Sequence, residues 1–147
     1  MNATQHSEYS LTLTQAIQWG EMDSFNHVNN TVYFKYFENA RIAYFDKTGI
    51  NQLMQLKKVG PILGSTECKF LAPLTYPDTI DICTRITAIK SKRFTMQYMV
   101  YSQQLEKAVA IGSGEIIYFD YLNSQTAEIP QEILENINHI ESKRLAL

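Results

Sequence analysis

The chain has 147 residues, 45% of them hydrophobic, and a formal net charge of −2. That length supports one domain with a sizeable buried core, and a charge so near neutral lacks the basic face of a general nucleic-acid binder. No apolar run approaches the ~20 residues of a membrane helix, and the N-terminus has neither the basic start nor the apolar stretch of a signal peptide, so a cytoplasmic protein without membrane insertion is expected.

Residues 9–18, YSLTLTQAIQ, read as a strand, and only the residues before them are expected to be loose. A polar knot follows, Asp23 to Asn30, holding Asp23, Asn26, His27, Asn29 and Asn30. Residues 31–47 then read as a helix stopped by Gly49, a common C-terminal signal. Tyr33, Phe37, Ala40 and Tyr44 form one apolar stripe, widened by Val32, Phe34, Tyr36, Ala43 and Phe45. A helix apolar on most sides is expected to be buried on most sides. Glu38 and Arg41, three apart, are expected to pair across one turn.

Four strands are predicted next. Residues 62–70 alternate, "APLTYPD" breaks the chain with two prolines, and residues 80–88 alternate cleanly. A tight turn at Lys90–Lys92 leads into a strand carrying Phe94, Met96, Tyr98 and Val100, and residues 108–121 form the last. Gly112 and Gly114 within it predict a close backbone approach or a bulge. Pro130 opens a short amphipathic helix with Ile133, Leu134, Ile137 and Ile140. Cys68 and Cys83 fall inside strand patterns, without metal-site spacing, and are expected to be buried reduced thiols. Short turns between the last four strands make an antiparallel meander, hence an α+β fold. Curling that sheet around the first helix is the simplest way to bury it.

The stretch Trp19–Arg41, WGEMDSFNHVNNTVYFKYFENAR, resembles the 4-hydroxybenzoyl-CoA thioesterase-like branch of the hot-dog fold. That branch carries an aromatic residue, an Asp four on, Gly-His-Val-Asn-Asn, a Tyr and Glu-x-Ala-Arg. Trp19, Asp23, His27-Val28-Asn29-Asn30, Tyr33 and Glu38-Asn39-Ala40-Arg41 match it. KFLAPLTYPDTI is similar to the family's Phe-x-x-Pro turn, and GSGEIIYFDYLNSQTAEIPQEI to its last strand and closing Ile-Pro. Asn26 stands where the family mostly has Gly, and Asn is the ordinary residue best able to adopt positive φ. The resemblance implies a single hot-dog domain over residues 1–147, a curled antiparallel sheet of about five strands around one long central helix, with a short C-terminal helix. It also implies a homodimer or homotetramer joined edge to edge.

Hydrolysing a thioester needs a carboxylate to activate water or attack directly, and donors for the developing oxyanion. Under the resemblance Asp23 is the catalytic carboxylate, with Glu38 as the next to examine. The first-turn N–H groups near Asn30 and Thr31 have no partners within the helix and are expected to face the thioester carbonyl of acyl-CoA. Taken alone, Asp23 reads as a turn anchor, and Asn29 or Asn30 as the helix N-cap. His27 and Asn29 are assigned to ordering the loop or gating substrate. Lys90, Lys92 and Arg93 are the best candidates for coenzyme A phosphates, and Ser65 and Thr66 for holding the attacking water. No metal site, phosphate loop or nucleotide motif is present, so no cofactor is expected. A thioester on an acyl carrier protein and a non-catalytic acyl-CoA-binding module are the alternatives. A hydratase is disfavoured because Asp-x-Asn-Pro-x-His is absent.

Overall fold

The computed structural model describes residues 3–145. A short helix α1 (Ala3–Ser7) precedes β1 (Leu11–Ala16) and a 3₁₀ turn (Trp19–Glu21). Then come α2 (Asn30–Thr48), α3 (Ile50–Lys57), β2 (Val59–Phe70), β3 (Thr79–Ile89), β4 (Arg93–Ser102), β5 (Lys107–Asp120), the two-residue β6 (Gln125–Thr126) and α4 (Gln131–Leu145). The strands form one antiparallel sheet in the order β1-β3-β4-β5-β2, with β6 added on β5. This is the expected hot-dog arrangement: a meander curled over α2, with β1 and β2 as its outer strands.

The stripe on α2 is the centre of the core. Tyr36, Phe37, Ala40 and Tyr44 are wholly buried, with Tyr33 and Phe45 nearly so. They pack against inward residues of the sheet, among them Ile80, Ile82, Met96, Tyr98, Val100 and Ile116. Phe37 stacks flat on Tyr98, ring centroids 4.6 Å apart. A Cβ on Gly112 would lie 2.5 Å from the Phe37 ring, so this glycine lets helix and sheet approach, as its place in the strand predicts. Truncating a wholly buried aromatic such as Phe37 to Ala would cost about 3–5 kcal/mol. Gly49 caps α2 with φ 85°, a left-handed conformation that glycine adopts without penalty.

Four expectations need correction. Residues 50–57 form α3, which is too short to stand out beside α2; its Ile50 is buried, and Met54 closes over Gly60. The stretch before β1 is not wholly loose: His6 of α1 bonds Asp81 on β3 (3.0 Å) and lies edge-on to Tyr101, while residues 1 and 2 lie outside the described residues. Cys83 is buried, but Cys68 is only half-buried; burial pushes both thiols up to about 11. Glu38 pairs with Lys35 at 2.8 Å, not with Arg41, because the Arg41 guanidinium turns inward and donates to the Tyr98 hydroxyl.

Candidate functional site

The polar knot is a closed loop held from inside. Met22 and Val28 pair as an antiparallel bridge. The Asp23 N–H donates to the His27 carbonyl (2.7 Å), and the Asn26 N–H to the Asp23 carbonyl (3.1 Å). Asp23 Oδ1 accepts from the Phe25 N–H (2.8 Å) and, more weakly, the His27 N–H (3.4 Å). Asn26 sits at the turn with φ 64°, the conformation anticipated for the residue replacing Gly. Below the bridge, the Asn29 N–H donates to the Glu21 carbonyl, and the Val28 N–H to the Leu74 carbonyl, both at 2.9 Å.

Asn29 is the N-cap of α2. Its Oδ1 accepts from the Thr31 N–H and the Thr31 hydroxyl, both at 3.0 Å. This corrects half of one expectation, since the Thr31 N–H is taken by the cap. The Asn30 N–H has no hydrogen-bond partner among the described residues. Neither has Asp23 Oδ2, so one oxygen of this carboxylate anchors the loop and the other is left over.

Asp23, His27, Val28, Asn30 and Tyr33 line one side of a concavity of about 380 Å³, and Phe70, Leu71, Ala72 and Pro73 the other. Asp23 is half-buried, while His27 and Asn30 are exposed. Tyr33 meets Phe70 edge to face at 5.0 Å and closes the floor. Burial pushes the Tyr33 hydroxyl up to about 12, slightly offset by the Leu74 backbone N–H, so it stays a neutral donor. The second wall was not assigned from sequence. The Phe-x-x-Pro pattern carries it, but by itself indicates only a turn.

Other predicted residues lie elsewhere in the chain. Arg93 pairs with Ile117 and Phe70 with Ala110, seven positions apart on β5, which sets the Lys90–Arg93 turn roughly 23 Å along the sheet from the concavity. Ser65 and Thr66 sit mid-way along β2, exposed, with the Thr66 hydroxyl bonded to the Ser113 carbonyl. A larger hollow, about 580 Å³, crosses the outer face of the sheet between Arg85 and Glu67. Two of its charged groups are engaged: Arg85 binds Gln97 and the Glu8 carbonyl, and Glu67 accepts from Ser113. No cluster of residues suited to a metal occurs among the described residues, and no described helix is long and apolar enough to cross a membrane.

The family model of the thioesterase-like superfamily matches residues 17–137. The chain belongs to this superfamily. A Bacillus subtilis protein, the uncharacterized protein YsmA, is 30% identical over 84 residues, 57% of this chain and 56% of that protein. The chain thus spans little more than half the length of that relative. A chloroplastic acyl-acyl carrier protein thioesterase of Arabidopsis thaliana is 27% identical over 127 residues, 85% of this chain and 66% of that protein. In fold, the chain matches a Thermus thermophilus thioesterase complexed with coenzyme A and zinc, with a TM-score of 0.81 and 22% identity over 91% of this chain and 96% of that one.

Proposed function

We propose that this protein hydrolyses acyl-CoA thioesters to the free acid and coenzyme A. One observation carries the reading: Asp23 and Asn30, the one with a carboxylate oxygen and the other with an N–H that has no partner among the described residues, line the same concavity beside an apolar wall. With the acyl group against Phe70, Leu71 and Tyr33, the thioester carbonyl accepts from the Asn30 N–H at the positive end of α2. Asp23 then takes a proton from water as it attacks, or attacks directly to form an anhydride that water opens. Either way the C–S bond breaks, and the departing thiolate receives a proton. His27, exposed at the rim, gates the substrate, and Asn29 holds the first turn.

The reading includes a homodimer formed across the open edge of β2, or a homotetramer built from two such dimers. Ile62, Leu63 and Phe70 on that strand are 38%, 42% and 48% exposed, an apolar edge that proteins normally cover. Antiparallel pairing of β2 with its symmetry mate would reverse one sheet relative to the other. The Lys90, Lys92 and Arg93 turn of one copy then comes to the same end as the concavity of its partner, three strand spacings or about 14 Å to the side, where coenzyme A phosphates would meet it.

A thioester on an acyl carrier protein is the second reading, supported by the plant relative's activity. Thiol release from acyl-CoAs of graded length, an aryl-CoA and an acyl-carrier-protein thioester tests both. Release from CoA substrates is expected. Release only from the carrier-protein substrate supports the second reading, and binding without release from any would mean a non-catalytic acyl-CoA-binding module.

A further inference from the structure

The Asp23 loop grows from a narrow base. Its two sides are Glu21 and Asn29, joined by the Asn29 N–H to Glu21 carbonyl bond. Two residues beyond Glu21 stands the Asp23 carboxylate, and one beyond Asn29 the Asn30 N–H. Whatever fixes this base therefore fixes the distance between the two groups assigned to the reaction.

Glu21 is tied there through both its backbone and its carboxylate. Its backbone carbonyl takes the Asn29 N–H. Its Oε1 accepts the Gln18 N–H at 2.8 Å, closing the 3₁₀ turn, and also the Tyr36 hydroxyl at 3.0 Å. Tyr36 is wholly buried on α2. Burial, then the nearby Glu21 carboxylate, drives its hydroxyl well above the ordinary phenol range, which keeps it a donor. A buried hydroxyl is costly to leave without a partner, so Tyr36 holds Glu21 in one place. Neither residue lines the concavity.

We infer that Glu21 is a positioning residue: pinned to Tyr36 of the central helix and to Gln18, it holds the Asp23 carboxylate in register with the Asn30 N–H. The inference rests on the hydrolytic reading above. A carboxylate displaced by an ångström can lose on the order of 10²-fold in rate without losing substrate, and that predicts a kcat effect with little change in KM.

The test uses Glu21→Ala, Glu21→Gln, Tyr36→Phe and the Glu21→Ala/Tyr36→Phe double variant, each checked by thermal melting. Glu21→Ala should lower kcat roughly 10–10²-fold with KM within about threefold. Glu21→Gln keeps an oxygen acceptor and should restore kcat to within about threefold of the parent. The double variant should be no slower than Glu21→Ala, because both changes remove one shared contact. In Glu21→Ala, amide exchange at residues 23–29 should accelerate. A folded Glu21→Ala protein with unchanged kcat overturns the inference, as does a Gln variant as slow as the Ala one. If the parent protein releases thiol from no thioester, the hydrolytic reading fails and amide exchange alone decides: unaltered exchange then overturns the holding role of Glu21.

Discussion

The loop from Glu21 to Asn30 and the strand β2 face each other across the concavity, and they are built on opposite plans. The loop has no regular secondary structure beyond one bridge, yet its backbone is bound by the Asp23 carboxylate, the Asn29 cap and the Glu21 base. β2 is a twelve-residue strand, regular but for a bulge between Leu63 and Ser65, and paired along its length to β5. Its other edge is open and its apolar side chains are half in water. Regularity therefore does not mark the finished part of the site. The irregular half is held within one chain, while the regular half leaves an apolar edge that the proposed dimer would cover. Preorganised groups save reorganisation during reaction, and an uncovered apolar strand favours association.

The largest expected effect breaks the loop's chemistry without breaking the loop. Asp23→Asn keeps an oxygen to accept from Phe25 and His27, so a normal melting temperature is expected. Removing the base should lower kcat by about 10²–10⁴ while KM changes little. His27→Ala should act more on KM than on kcat, because its side chain stands at the rim. Steady-state kinetics on the best thioester checks both. If a folded Asp23→Asn protein keeps most of its kcat, Glu38 is the next carboxylate to test, although Lys35 already holds it below the usual carboxylate range by a direct hydrogen bond.

A smaller effect is expected on the β2 side. Leu63 points toward the helix-facing side of the sheet, close to Gly114, and is 42% exposed. Leu63→Lys should be tolerated within a single chain but would place a charge inside the proposed interface. Weakening of self-association by at least about tenfold is expected, read by sedimentation at micromolar concentrations. Activity should fall in parallel with the associated fraction if the neighbouring copy supplies the basic turn. Activity that survives in a monomer would leave the Lys90, Lys92 and Arg93 assignment without support.

The same contrast explains what was legible in the sequence. α2 was readable because its apolar stripe and its Gly49 stop are local signals, and the strands because burial on one face imposes alternation. The loop's anchors were readable as residue types: Asn29 or Asn30 as cap, Asn26 as the left-handed turn residue, Asp23 as turn anchor. What escaped was anything set by pairing distant in sequence. Glu21 acquires its importance only when Tyr36 folds over it. Phe70 and Pro73 become a wall only when β2 ends beside the loop. The basic turn lies at the far end of the sheet because the meander reverses direction, a fact of register and not of composition. Arg41 could not be assigned from helical spacing, since Tyr98 on β4 offers its hydroxyl to the guanidinium from another element.

The smallest effect tests whether the β2 side is in fact unfinished. Tyr118 faces the core from β5, directly opposite Pro61 of β2. It is wholly buried, and its hydroxyl has no hydrogen-bond partner among the described residues. Burial pushes that hydroxyl up to about 12, so it is neutral at any ordinary pH and its cost is that of an unmet hydrogen bond. Removing such a group while keeping the ring should stabilise by about 1 kcal/mol, or roughly 2–4 °C in a domain of this size. Tyr118→Phe is therefore expected to melt a few degrees higher than the parent. A lower melting temperature would mean that the hydroxyl has a partner supplied from outside the chain. If the decrease were larger at protein concentrations that favour association, that partner would come from the surface covering β2, and the core beneath this strand would itself be shared between copies.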